Sequence, residues 1–173
     1  MAESPLLAFY RHAGPDHRGR TREDILAFDT GRLESTHDFI QWLFPLPEPS
    51  GANPHAPQLT QGDIAAFNAE SGLREALLRS LDVMLRFYGL ALAGTPGARR
   101  VDRAANYASR SDDWLGRSHN FLRISRILRS LALLGCEDEA RAFLAQLEEI
   151  CRENAQHIGS DTLGYWRRAI DTR

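Results

Sequence analysis

Residues 118–135 read SHNFLRISRILRSLALLG, and this stretch decides the fold class. Phe121, Ile124, Ile127, Leu128, Leu131 and Leu134 recur at three- and four-residue intervals, the spacing that lines one face of an α-helix. Ser118 is expected to cap the helix and Gly135 to stop it. The same period continues outward. Ala140, Phe143, Leu144, Leu147, Ile150 and Cys151 predict a helix over 137–157, and Leu163, Trp166 and Ile170 a last helix capped by Ser160 and Asp161. On the N-terminal side, Leu73, Leu77, Leu81, Met84 and Tyr88 form one stripe, with Ser71 as cap and Gly89 as C-cap. Gly94–Gly97 reads as a turn, and 98–117 as a short helix plus an irregular link.

Further back, Thr21 with Asp24 and Thr60 with Asp63 fit the pattern in which a hydroxyl and a carboxylate satisfy the open amides of a first helical turn. A short amphipathic piece over Leu6–Arg11 precedes a turn-forming stretch, His12–Arg20. Leu33, Phe39, Ile40, Leu43 and Phe44 place one continuous helix over Leu33–Phe44, ended by Pro45. Residues 45–58 hold Pro45, Pro47, Pro49, Pro54 and Pro57 and read as a stiff loop. No run alternates in the way of a half-buried strand. The expectation is all-α: one domain over 1–173, a bundle of about seven helices with a Pro-rich loop at 45–58.

Composition sets the outer limits. The chain has 173 residues, 43% of them hydrophobic, the size of one domain that buries about 70% of its extended surface without needing a disulfide or metal. The formal charge of −2 argues against a protein that coats nucleic acid or anionic lipid by bulk potential. Cys136 and Cys151 match no redox or zinc spacing and read as reduced thiols of a cytoplasmic protein. No segment reaches the ~18 apolar residues of a membrane span, and the N-terminus has no signal pattern. All 21 basic residues are Arg, a skew that fits a GC-rich bacterial genome.

The candidate chemistry lies on two helices. His119, Arg123, Arg126 and Ser130 project onto one stripe opposite the apolar face of the 118–134 helix. Two guanidiniums one turn apart can straddle a phosphate or carboxylate; the alternative is a solvated helix face. Asn120 points toward the apolar side and is expected to tie backbone together. On the 33–44 helix, Glu34, His37 and Gln41 make a polar edge, with Asp38 and Trp42 beside it. A His beside carboxylates suits a general base, and equally a hydrogen bonder at a core margin. No His pair has metal-ligand spacing within a helix, no metal or cofactor is expected, and nucleotide-loop and nucleophile-elbow motifs are missing.

Two runs, HDFIQWLFP over 37–45 and HNFLRISRIL over 119–128, together resemble the conserved region of the opioid growth factor receptor family. Phe9-Tyr10, Leu33-Glu34, Leu59-Thr60 with Phe67, and MLRFYG over 84–89 follow in the same order, so the resemblance covers 6–136 and leaves 137–173 as C-terminal helices of the same domain. The family's animal receptor binds met-enkephalin and is associated with the nucleus. The chain looks like the stand-alone bacterial form, since it lacks the peptide repeats and basic nuclear-targeting clusters expected of the animal protein. The resemblance supplies no catalytic residues. It marks His37, Asp38, Gln41, Trp42, His119, Asn120, Arg123 and Arg126 as motif positions.

The reading that follows is a non-enzymatic binding module in which the two motif helices hold a small anionic ligand or a peptide through His37, Asp38, Gln41, Trp42, His119, Arg123 and Arg126, with the 45–58 loop as one wall. One alternative is an enzyme of unassigned class with His37 or His119 as acid or base. The other is a protein-interaction domain without a small ligand, its oligomeric state open.

Overall fold

The structure, a computed structural model, describes residues 3–171. Within them the elements run α1 (Pro5–Tyr10), α2 (Arg22–Leu26), α3 (Thr30–Ser35), α4 (Ile40–Leu43), α5 (Gln61–Ala69), α6 (Ser71–Tyr88), β1 (Leu90–Ala93), β2 (Arg100–Arg103), α7 (Tyr107–Trp114), α8 (Ser118–Leu133), α9 (Glu137–Glu153) and α10 (Ser160–Ala169). The fold is mainly helical, as the periodicity predicts. The chain divides into two compact units, one ending at Ser80 and one beginning at Leu81, with α6 contributing to both. No helix among the described residues is long and apolar enough to cross a membrane.

The first unit is built from short helices whose ends are chemically closed. The Ser4 hydroxyl accepts from the Leu7 amide and Pro5 opens α1, where its missing N–H costs nothing. Both expected capping boxes form, Thr21 with Asp24 on α2 and Thr60 with Asp63 on α5. Arg74 then takes the last carbonyls of α5, Nη1 donating to Phe67 O at 2.6 Å and Asn68 O at 2.7 Å. Aromatic rings fill the interior: Phe9 lies 5.2 Å from Trp42, Tyr10 lies 4.9 Å edge-on to Phe67, and Phe28 lies 5.9 Å edge-on to Phe39. The Tyr10 hydroxyl donates to the Leu43 carbonyl.

The helix expected over Leu33–Phe44 is broken. The Asp29 side chain caps α3 at the Arg32 amide, 2.8 Å away, so this helix starts before Leu33. Thr36 turns to φ −100°, ψ 129° and ends it. Ser35, Thr36, His37 and Asp38 are all weak helix formers, and the Asp38 carboxylate is held by arginines from the 12–20 turn, which outweighs another helical turn. Four residues of α4 follow. This split is one reason the described residues hold ten helices where the periodicity suggests about seven.

In the second unit α8, α9 and α10 pack on one another, and β2 lies against α9. An edge-to-face series of rings runs through it: Tyr88 to Trp114 at 5.3 Å, Trp114 to Phe121 at 6.5 Å, Phe121 to Trp166 at 5.8 Å. Both indoles bond to carbonyls, Trp114 Nε1 to Tyr88 O at 3.0 Å and Trp166 Nε1 to Phe121 O at 3.1 Å, so Trp114 is core rather than surface. The apolar faces of α8 and α9 are buried as expected, and Gly135 with φ +79° closes α8. The helix predicted to reach 157 stops at Glu153, where the Asn154 side chain donates back to Ile150 O at 2.9 Å.

Two local expectations fail here. Ser71, Ser118 and Ser160 are the first helical residues rather than caps; Arg117 and Gly159 hold the cap positions of α8 and α10 and give the first turn no side-chain capping bond. The expected strand-free chain contains an antiparallel hairpin, Leu90 opposite Arg103 through Ala93 opposite Arg100. Its LALA strand extends the apolar run of α6 without alternation, so periodicity does not separate the two. What separates them is Gly89, φ +76°, where an added Cβ would sit 2.8 Å from Tyr107 Cα.

Cys136 and Cys151 are free and buried at opposite ends of α9. At ~1.5 Å per residue they stand about 22 Å apart, beyond disulfide reach. Burial pushes the Cys151 thiol up to about 11.

Candidate functional site

The first unit contains a pocket of about 400 Å³ lined mainly by Leu6, Pro15, His17, Trp42, His55 and Pro57. Trp42 is buried, and its Nε1–H donates to His17 Nδ1 at 3.1 Å. That bond fixes the tautomer. Nδ1 must carry the lone pair, so the imidazole proton sits on Nε2, which faces Asp38 Oδ2 at 3.6 Å. The exposed ring of His55 lies nearly parallel to His17, 16° between planes and 5.4 Å between centroids.

The charges behind this wall neutralise one another. Asp16, its side chain fully buried, accepts from the backbone amides of Arg18 and Arg20 at 2.8 and 2.9 Å and from Arg20 Nε at 2.7 Å. Asp38 accepts from Arg20 Nη2 at 2.8 Å and Arg18 Nε at 3.1 Å. Burial alone would push the Asp38 carboxyl up, but the bonds and charge from Arg20, with Arg18 and His17, outweigh it and hold the group below the usual carboxylate range. Two guanidiniums thus answer two carboxylates.

The Pro-rich loop supplies His55, Pro57 and Gln58 to the pocket. Prolines stiffen it, but Asn53 positions it. This buried side chain donates to Asp38 O at 3.2 Å and toward Gln41 Oε1 at 3.5 Å, while its own Oδ1 accepts from the His55 amide at 3.0 Å. The return is pinned where Leu59 N donates to Leu46 O at 3.0 Å.

Of the residues singled out by sequence, Asp38 and Trp42 meet at His17, and buried Gln41 supports the loop while donating to His37 O at 3.3 Å. Exposed His37 lies on a separate, more polar depression of about 350 Å³ with Arg18, Ser35, Thr36, Asp38 and Ala52. Glu34, His37 and Gln41 do not form the expected edge, because the chain turns between α3 and α4. Trp42 is a pocket wall rather than an exposed anchor.

In the second unit the polar stripe of α8 is not a solvated face. Arg123 is 4% exposed and Ser130 fully buried, while His119 and Arg126 are half-buried. Asn120 is fully buried, as its position on the apolar side predicts, and accepts from Arg123 Nη1 at 3.3 Å. The large apolar residue that this helix exposes is Leu122.

His17, His55 and Asn53 are the residues that periodicity misses, since all three lie in turns. The available signal is the turn chemistry: Asp16 ahead of Gly19, and Asn53 among prolines, are side chains that fold a loop around their own oxygens.

Comparison with known proteins gives one consistent answer. The sequence model of the opioid growth factor receptor conserved region matches residues 15–173, a span that includes the C-terminal helices. The human opioid growth factor receptor is 40% identical over 179 residues, which takes in 99% of this chain and 26% of the human protein. The rat receptor is 48% identical over 145 residues, 82% of this chain and 24% of its own length. Opioid growth factor receptor-like protein 1 of mouse is 40% identical over 109 residues, 63% of this chain and 23% of its own. The chain thus spans about a quarter of the length of these relatives. No solved structure matches.

Proposed function

The chain belongs to the family of the opioid growth factor receptor conserved region, and from that premise we propose that it is a non-enzymatic peptide-binding module whose seat in the first unit is the His17–Trp42–His55 pocket. One observation carries the reading: the pocket is apolar-walled, stiffly framed and of small-ligand size, while its ionic groups are already committed to one another. A small anion would have to take Arg18 or Arg20 from Asp38, so a peptide suits this pocket better.

What supports a binding rather than an acid–base role for the pocket histidine is its wiring. His17 Nδ1 receives the Trp42 proton and Nε2 faces Asp38, so neither nitrogen is directed at a substrate. The relatives' name describes a receptor for a growth factor, and a recognition module is consistent with it. His119, Arg123 and Arg126 remain candidate ligand contacts of the second unit, tested on their own.

The test is a thermal-shift titration of the whole chain against metabolites, nucleotides, metal ions and short peptides including met-enkephalin, since a ligand that binds the native state raises its melting temperature. The expected result is a concentration-dependent shift with peptides that His55→Ala weakens. His119→Ala and Arg126→Ala proteins run alongside, and loss of a shift without loss of stability would assign those side chains to the ligand. A flat panel would sink the proposal in favour of a domain that contacts only folded partners.

A further inference from the structure

We infer that the pocket selects an uncharged aromatic ring carried on a peptide; this rests on the peptide-binding reading above and specifies the class of side chain. The carrying observation is a set of ring planes in one orientation. His17 lies 13° from Trp42 and 16° from His55, with centroids 6.2 and 5.4 Å away. Rings so aligned present parallel π surfaces, and a further ring laid along them gains offset-stacking contact that an aliphatic chain of equal area does not. The rest of the lining, Pro5, Leu6, Pro15 and Pro57, presents C–H groups that suit the edge of a ring.

Charge matching points to the same occupant. Asp16 and Asp38 are neutralised by Arg18 and Arg20 behind the wall, and the hydroxyls of Ser4 and Thr60 at the pocket edge are both spent on Asp63. Among the described residues the lining presents no guanidinium to a phosphate or carboxylate, and a neutral ring asks for none. The exposed Gln58 at the edge can donate to and accept from a peptide backbone, which favours a ring on a peptide over a free arene. The frame is preorganised: Asn53 and the prolines hold His55 in place before any ligand arrives, so little ordering cost is set against the stacking gain.

The experiment is calorimetric titration of the whole chain with acetyl-Ala-Tyr-Ala-amide, its leucine and phosphotyrosine counterparts, and p-cresol. The tyrosyl peptide should bind about threefold to tenfold more tightly than the leucyl one, the range that one ring stack provides. The phosphorylated peptide should be weaker, and p-cresol weaker again. His55 is exposed, so His55→Ala should fold normally and bring the tyrosyl peptide down to the leucyl level. Equal affinity for tyrosyl and leucyl peptides, unchanged by His55→Ala, would overturn ring selection and leave the peptide-binding reading standing. Equal or tighter binding of the phosphopeptide would overturn the uncharged class, and p-cresol matching the tyrosyl peptide would overturn the peptide source. If none of the peptides binds, the reading beneath falls as well.

Discussion

The indole N–H of Trp42 donates to Nδ1 of His17 across 3.1 Å, joining a buried residue of α4 to a turn 25 positions earlier in the chain. This bond makes His17 an acceptor where most histidines are free to choose, and it lets the 12–20 turn be read as part of the pocket rather than as a connector. His17→Ala should leave the Trp42 N–H without its partner and cost about 1–3 kcal/mol in urea unfolding. His17→Ala combined with Trp42→Phe should cost less than the sum of the two, because the second change removes the orphaned donor. Strict additivity would show that the bond contributes nothing.

Asp38 gives a pH-dependent prediction. Its carboxyl is held below the ordinary aspartate value in the folded chain, so the native state binds fewer protons there than the unfolded state does. The stability it contributes is therefore fully present above the unfolded value of about 3.9 and is lost as pH falls through the lower folded value. Asp38→Asn should destabilise the protein at pH 7, and the gap to the wild type should close below about pH 4. Melting temperatures from pH 2.5 to 7 measure this; a gap that stays constant across the range would mean that Asp38 acts through its shape and not its charge.

How far the sequence carries is visible in these same residues. Helices whose apolar faces are continuous, such as α6, α8 and α9, are legible because burial and the 3.6-residue period enforce each other over many turns. The break between α3 and α4 is not, because Leu33, Phe39, Ile40 and Phe44 are apolar in either arrangement, and the weak helix formers at 35–38 are tipped out of the helix by the distant Arg18 and Arg20. Asp38 and Trp42 were legible as motif residues, but their partners His17 and His55 were not, since loops bring them together and loops have no period. On α8 the sequence distinguished the fate of Asn120 but not that of Arg123, whose burial depends on neighbours that a helical projection leaves out.

Asn120 and Arg123 give the third prediction. Both are buried, and Arg123 Nη1 donates to Asn120 Oδ1 at 3.3 Å. Asn120→Ala removes an acceptor from a guanidinium that has little access to water, so it should cost about 1–3 kcal/mol. Arg123→Ala should cost a comparable amount, and the double variant should again fall short of the sum. Chemical unfolding followed by far-ultraviolet circular dichroism decides it, and an Asn120→Ala protein as stable as the parent would place that amide outside the interior network.

Gly89 carries the last prediction. It joins α6 to β1 with φ +76°, and a methyl group there would sit 2.8 Å from Tyr107 Cα and 2.9 Å from Arg110 Cβ. The first contact is with backbone, so no rotamer change relieves it. Arg110 is not free to move away, since its Nε donates to Phe87 O at 2.9 Å and its Nη1 pairs with Asp113. A left-handed conformation alone costs a side-chain-bearing residue about 1–3 kcal/mol, and the steric contact adds to it. Gly89→Ala should therefore lower stability by about 2 kcal/mol or more, whereas Gly97→Ala, also at positive φ but with open space around its Cβ position, should lose only the backbone share. Measuring the two side by side separates crowding from conformation: equal losses would mean that the approach of α7 to Gly89 yields without cost, and that the hairpin junction is looser than its geometry states.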